Sequence, residues 1–334
     1  HLGGGCTTKT LDLLIQGLPR DLEIGEIRLV RLWPFAKQRT RGNASVAVEI
    51  NCQDENILLN HLDAWWNEKI SPLAGEISYT ENYDRQQYPA DPGMVWFSSQ
   101  IPSVEFYYNT VRREVNIDEV PIADKSWGGQ GRIGATAAIA WDKAQVTYEA
   151  IAWRTEINTG TENLRKIDTK RLEEIDEMDN TFMSRDSRTG NSMIAPRGPC
   201  PVLFGLRARN YSVAKEAAIH LLDSEFTEEN SGFRVFTTNQ ASDDHLAENL
   251  TDVVMDIELL SRGAVVINCK QNKLLAFSES GEIKLLAQWL KNEDLISFNG
   301  LLNHEGVYHL ERLRVDKSSN EKIRPLCKKC DVKM

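Results

Sequence analysis

The sequence has no apolar run approaching the roughly 18 residues that a membrane-crossing helix needs, so no transmembrane helix and no membrane partner are expected. It also has no cationic-then-apolar leader with a cleavage signature, which makes the cytoplasm the expected location. Cysteine is sparse. There are six in 334 residues, and Cys6, Cys52, Cys200 and Cys269 are too scattered for a disulfide scaffold. Positive charge is outnumbered, 39 lysines and arginines against 49 aspartates and glutamates, for a formal net charge of −10. As a whole-chain average that argues mildly against nucleic-acid binding. Internal repeats and low-complexity tracts are missing as well. The chain opens on His1 rather than a methionine, directly before a glycine-rich turn and an apolar helix. A natural start would place a methionine and a strand there, so a missing amino end is expected.

What is present is ordinary for a globular protein, 41% hydrophobic and 26% charged residues. The length exceeds what one compact core supports, which predicts two to four domains. Charge is unevenly spread. Acid concentrates in residues 173–179, 223–229 and 243–256, and positive charge in residues 37–41, 197–209 and 322–333. Local patches decide RNA contact, so the global charge is weak evidence.

Hydrophobic spacing predicts helices over residues 8–18, 57–69, 102–117 and 283–290. Apolar, Val- and Ile-rich segments predict strands at 27–33, 45–52, 95–97, 146–152 and 202–206, the last entering a second α+β unit to which residues 219–222 and 232–238 belong. Residues 154–169 read as a polar connection at a domain boundary. From about 252 onward the pattern is short strands (254–260, 264–269, 274–277, 295–301, 307–315) with one helix inserted. That order suits a small barrel of the oligonucleotide-binding type.

Six motifs carry chemistry, each beside a plainer reading. Gly3-Gly4-Gly5-Cys6-Thr7-Thr8 precedes a helix, where backbone amides and the helix start attract phosphate and a hydroxyl can accept a phosphoryl group. A capped helix after a flexible turn is the plainer account. Lys37-Gln38-Arg39-Thr40-Arg41-Gly42-Asn43 offers two guanidinium forks for phosphate, or a solvated hairpin loop. Gly128-Gly129-Gln130-Gly131-Arg132-Ile133-Gly134 satisfies G-x-G-x-x-G literally. A dinucleotide fold, however, needs an apolar strand before it, and residues 123–127 are a poor one. A turn bringing amides to a nucleotide phosphate, or plain loop glycines, remain. Arg197-Gly198-Pro199-Cys200-Pro201 sets a thiol near arginine, either reactive or structural. Thr237-Thr238-Asn239-Gln240 with Asp243, Asp244 and His245 gathers polar side chains for recognition or for a hydrogen-bonded turn. Cys327-x-x-Cys330 is half of the four-ligand set of a zinc ribbon.

Together and in order these motifs resemble the archaeal isoleucine-tRNA 2-agmatinylcytidine synthetase family. The resemblance runs through Gly4-Gly5-Cys6-Thr7-Thr8, Arg31-Leu32, Arg39-Thr40-Arg41-Gly42-Asn43, Asp91-Pro92-Gly93 and Gly131-Arg132-Ile133-Gly134-Ala135. It continues through Trp153-Arg154, the segment 199–205, Thr238-Asn239-Gln240 and Asp244-His245-Leu246. It implies an α+β multidomain chain. A kinase-like α/β domain would span 1–160 and lack its first strand, with a ferredoxin-like domain at 161–250. An OB-fold β-barrel at 251–318 and the start of a zinc ribbon at 319–334 would follow.

The activity so implied is an ATP-dependent ligation. Agmatine replaces the 2-oxygen of the wobble cytidine in the CAU anticodon of isoleucine tRNA, through a phosphorylated cytidine, with release of AMP and phosphate. The resemblance makes Thr7 the catalytic, phosphate-carrying threonine. It assigns ATP or phosphate binding to Gly4, Gly5, Thr8, Gly128, Gly129, Gly131, Arg132 and Gly134. RNA or substrate binding falls to Arg39, Arg41, Asn43, Arg207, Asn239 and His245, and zinc to Cys327 and Cys330. ATP, Mg2+ and, in the intact protein, Zn2+ are the implied cofactors. Two departures bear on activity: the family's Asp-Asp-Thr-Asp motif, expected to hold magnesium upstream of Gly3, and the second cysteine pair are absent. The chain as given is therefore expected to fold incompletely and be inactive. Two rivals stand beside this reading: a non-catalytic single-strand nucleic-acid-binding OB-fold protein, and a nicotinamide oxidoreductase built on Gly129–Gly134.

Overall fold

The structure, a computed structural model, describes residues 5–40, 42–76, 88–158, 164–186, 189–196, 198 and 200–319. The chain divides into two compact units, His1–His245 and Leu246–Met334, and is mixed α/β.

The first unit opens with α1 (Thr7–Gly17), in which Thr8, Leu11, Asp12 and Leu14 recur at helical spacing and are buried. β1 (Glu23–Arg31) and β2 (Ala44–Asn51) pair as an antiparallel hairpin. α2 (Glu55–Trp65) starts where the Asp54 carboxylate accepts from the Asn56 N–H, a cap that satisfies one of the helix's orphan donors. β3 (Gly93–Trp96) and β4 (Lys125–Gly128) form a separate two-stranded ribbon against which α4 (Gly131–Ala140) packs, with α3 (Val104–Arg112) packed on α4.

The chain then runs through β5 (Thr147–Arg154), α5 (Thr169–Asp176), β6 (Thr181–Phe182), β7 (Val202–Ala208), α6 (Tyr211–Leu222) and β8 (Asn230–Thr238). Its main sheet has six strands in the order β2-β1-β8-β5-β7-β6. All neighbours are antiparallel except β1 and β8, which run parallel. A boundary at 160 therefore falls between β5 and α5, inside one β-α-β-β-α-β run whose strand β5 pairs with both β7 and β8.

The sheet buries both faces. On one, α6 lays down Ala214, Ala217, Ala218 and Leu221, an i, i+3, i+4, i+7 stripe of mostly small residues that lets the helix approach closely. There it packs with Ala150, Ala152, Phe204, Leu206 and Val235. On the other face, Leu11 and Leu14 of α1 and Leu58 and Leu62 of α2 pack on Leu29, Ile151, Trp153 and Phe236. Fully burying one such large apolar side chain is worth roughly 1.5–3 kcal/mol, so α1 is fixed to the sheet mainly by its leucines.

In the second unit, β9 (Leu250–Leu259), β10 (Val265–Cys269), β11 (Lys273–Ala276), β12 (Leu295–Leu302) and β13 (Val307–Lys317) close into a barrel in the order β10-β11-β13-β12-β9. α7 (Glu282–Trp289) lies between the third and fourth strands. Alternate residues turn inward, and Val254, Val265, Ile267, Leu274, Ile296, Phe298 and Leu310 fill the interior with Ala287 of α7.

Candidate active site

The start of α1 is built so that one of two adjacent threonines is used internally and the other is not. Thr8 is buried; its Oγ1 accepts from the Trp153 indole N–H at 3.2 Å and lies 2.9 Å from Cys6 Sγ. Thr7, one step earlier at the first helical position, is exposed, and no side chain caps the helix start. Deeper in α1, the buried Asp12 carboxylate accepts from Arg234 Nε of β8 at 2.6 Å and from Gln16 at 2.7 Å. These polar ties and the leucine face hold α1 in one rotation about its axis.

The glycine turn forms a tight joint with Asp91-Pro92-Gly93. Gly129 N–H donates to Pro92 O at 2.9 Å, Gly131 N–H to Asp91 O at 2.9 Å, and Gln130 N–H to the Asp91 carboxylate at 2.8 Å. A Cβ on Gly129 would lie 2.0 Å from Asp91 Oδ1, and one on Gly131 2.2 Å from Gly93 N. The glycines are thus required by close backbone approach. The three amides are thus engaged within the protein, by the carbonyls of Pro92 and Asp91 and by the Asp91 carboxylate. The Arg132 guanidinium turns back onto Gly129 O at 3.2 Å. The strand before the turn is β4, in a two-stranded ribbon paired with β3. It is no central parallel strand, so the G-x-G-x-x-G spacing has no dinucleotide-fold context.

A third cluster gathers residues far apart in sequence. Glu149 of β5, 2% exposed, accepts from Arg31 Nη2 at 2.6 Å, and its other oxygen lies 3.7 Å from Arg207 Nε on the neighbouring strand. Arg31 is held at its backbone by Asn239, whose Oδ1 accepts from Arg31 N–H at 2.7 Å and whose Nδ2 donates to Arg31 O at 2.9 Å. The same Nδ2 lies 2.9 Å from the Tyr107 hydroxyl, which donates to Asp244 at 2.7 Å. Burial first, and the Asp244 carboxylate second, push the Tyr107 phenol far above its ordinary value, so it remains a donor.

The remaining expected residues take quieter positions. Asn43, buried and at positive φ, donates to Trp33 O and shapes the loop after β1, and Arg39 donates to Ala36 O. Gly134 packs α4 against Leu32 and Ser45. Gly5 is exposed ahead of α1, Gly128 takes positive φ at the end of β4, and His245 is half-buried beside the anchored Asp244. Gly4, Arg41, Cys327 and Cys330 lie outside the described residues. Among the described residues no group of three or more His, Cys, Asp or Glu side chains is placed to hold a metal ion. Glu149 escaped the sequence reading. The one signal for it was an acid inside the otherwise apolar alternation of residues 146–153.

Residues 2–128 match the family model of the TiaS TCKD domain, and residues 129–245 that of the TiaS FLD domain. The chain is 30% identical over 372 aligned positions to TiaS of Methanopyrus kandleri, an isoleucine-tRNA 2-agmatinylcytidine synthetase, covering 98% of this chain and 81% of that relative. The chain belongs to the TiaS family. The TiaS of Pyrococcus horikoshii is 27% identical, with 98% and 81% covered. Among solved structures, the complex of TiaS with its isoleucine tRNA and ATP superposes with a TM-score of 0.77 at 23% identity, covering 97% of this chain and 81% of that one. Apo TiaS gives 0.76 at 21%, covering 100% and 83%. At these identities the structural likeness is one of fold. The two TiaS domain matches meet inside the glycine turn, so the joint of Asp91–Gly93 with Gly129–Arg132 ties one matched segment to the other.

Proposed function

We propose that the protein is an ATP-dependent ligase that attaches agmatine to carbon 2 of the wobble cytidine in the CAU anticodon of isoleucine tRNA, consuming ATP and water and releasing AMP and two phosphates, one of which carries the former cytidine oxygen. The observation that carries this is the ordered match to both TiaS domain models, together with relatives bearing that activity in their names over 98% of the chain.

The topology supports finer assignments. The run β5-α5-β6-β7-α6-β8, with sheet order β8-β5-β7-β6, suits a ferredoxin-like domain, which is then read as including β5 from 147. The five-stranded barrel with a helix between its third and fourth strands suits an OB-fold over 251–318. Residues before β5 are read as the kinase-like domain, and 319–334 as the start of a zinc ribbon in which Cys327 and Cys330 would be two ligands. A bare OB-fold binding protein would leave the whole first unit without a task.

The site follows from the chemistry the reaction needs. A ring carbonyl oxygen leaves poorly until it is phosphorylated, so a phosphoryl donor must be brought in line with the cytidine O2, and the agmatine amine then displaces phosphate at carbon 2. Thr7 is assigned as the phosphate-carrying hydroxyl: it is exposed at an uncapped helix start, where N–H groups and the dipole favour an anion. Arg31, Arg207 and the Arg39 loop are assigned to phosphate oxygens of ATP or RNA, and Asn239 and Asn43 to holding their backbones. Thr8 and the glycines at 128, 129, 131 and 134 are assigned to shaping the site. Magnesium is implied with the triphosphate; among the described residues no cluster of three or more His, Cys, Asp or Glu side chains is placed to hold it, and no step here depends on it.

The test is AMP formation from ATP by the protein expressed from its full reading frame. The proposal predicts that AMP appears only when both agmatine and tRNA with a CAU anticodon are present. AMP formation indifferent to either, or none at all with both, would sink it.

A further inference from the structure

The Arg31–Glu149–Arg207 cluster has a charge imbalance and two unsatisfied donors. One carboxylate, 2% exposed, faces two guanidinium groups whose side chains are 30% and 17% exposed, which leaves a local charge of plus one. The Nε atoms of Arg31 and of Arg207 are buried and make no hydrogen bond, Arg207 Nε keeping only its 3.7 Å ion pair to Glu149. Buried polar groups are ordinarily paired, so two guanidinium groups sharing one carboxylate have donor capacity left for a further anion.

The surroundings are shaped around this arrangement. A Cβ on Gly205 would fall 2.6 Å from Glu149 Oε1, and one on Gly42 3.1 Å from Arg31 Nη1, so two glycines leave room for the charged groups. Asn239 clamps both backbone groups of Arg31. Glu149 and Arg207 are direct cross-strand partners in the β5–β7 register. Arg31, Gly205 and Arg207 thus converge on one glutamate that none of the singled-out motifs contains. A carboxylate present only to neutralise would not need two arginines, and forked guanidinium groups match a tetrahedral oxyanion where a lysine would offer only a point charge.

We propose that Arg31 and Arg207 form a seat for a substrate phosphate and that Glu149 is the positioning residue that aims both guanidinium groups at it. This deepens the synthetase reading and rests on it for the identity of the phosphate, which is either that of ATP or one of the RNA backbone.

The test is a double-mutant cycle on the full reading frame, read by equilibrium binding of ATP without tRNA and of tRNA across a salt series, with folding checked by thermal melts. Glu149→Gln and Arg207→Ala should each weaken the same ligand by about tenfold, and the double variant, in which only Arg31 is left to be misaimed, should lose less than the product of the two single losses. A loss confined to ATP assigns the seat to the nucleotide. A loss confined to tRNA, with the salt slope reduced by about one, assigns it to a backbone phosphate. Both affinities unchanged within about twofold, or additive effects of the two substitutions, overturn the proposal. Should Glu149→Gln not fold, Arg31→Lys and Arg207→Lys keep the charge and remove the fork: the same loss supports the seat, and unchanged binding overturns it. Because binding is read without agmatine, a failure of the ligation reading would leave this result decidable.

Discussion

Trp153 and the two threonines of α1 show how finely single residues are allotted. Replacing Trp153 by Phe removes the N–H that Thr8 accepts and part of a fully buried ring system. The lost hydrogen bond, about 1 kcal/mol, adds to the cost of the cavity, for a total of about 2–4 kcal/mol, seen as a lower melting temperature, and turnover should fall further as the start of α1 is freed. Thr7 behaves oppositely. It is exposed and caps nothing, so Thr7→Val should leave the melt unchanged while abolishing any phosphate found on α1 by mass spectrometry after incubation with ATP. A stable phosphate elsewhere in α1, or undiminished turnover, would remove Thr7 from its assigned role. At this scale the sequence was only half legible. The adjacent threonines, the asparagines and Arg207 were visible as motifs, but which of them face a ligand depends on partners distant in sequence. Asn43 and Asn239, expected as recognition residues, each donate to a backbone carbonyl from a position beside a strand end. Glu149 looked like one polar residue in a strand, since Arg31 lies 118 residues away.

Elements are more legible in the sequence than the partners of their side chains. The strands and helices of the barrel, the β1–β2 hairpin and α1 follow the periodicity of their apolar residues closely. α5 was missed because only Leu172 and Ile175 of its eight residues are buried, too few to register as a stripe. The glycine turn was legible as a special loop, but its purpose was not. Its contacts run to Asp91-Pro92-Gly93, about forty residues earlier. Gly129→Ala and Gly131→Ala should each destabilise by about 1–3 kcal/mol or more, since the added Cβ meets a carboxylate oxygen or a backbone nitrogen. Melting temperatures unmoved by both would contradict the joint.

The barrel carries its own pH dependence. Burial opposes the charge of Asp252, but the Asn272 side chain and the backbone N–H groups of Val253, Gln271 and Asn272 outweigh it and hold the carboxyl below the usual aspartate value. With the folded value below the unfolded one near ~3.9, this stabilisation is complete at neutral pH and fades as pH falls through the depressed folded value. Asp252→Asn should therefore lower the melting temperature at pH 7 and narrow the gap to the parent protein as pH drops below about 4. A constant gap would rule out this assignment.

For the molecule as a whole, a net charge of −10 and an RNA substrate are compatible only if binding is local. The observed arginine cluster, one acid between two arginines, is such a local excess. Whether these parts act together as a synthetase is decided by the product itself. The protein from its full reading frame is incubated with ATP, agmatine and isoleucine tRNA carrying a CAU anticodon, and the wobble nucleoside is then isolated and weighed by mass spectrometry. The expected product is a cytidine heavier by agmatine less one water, formed only with all three present. A wobble cytidine of unchanged mass would refute the synthetase reading.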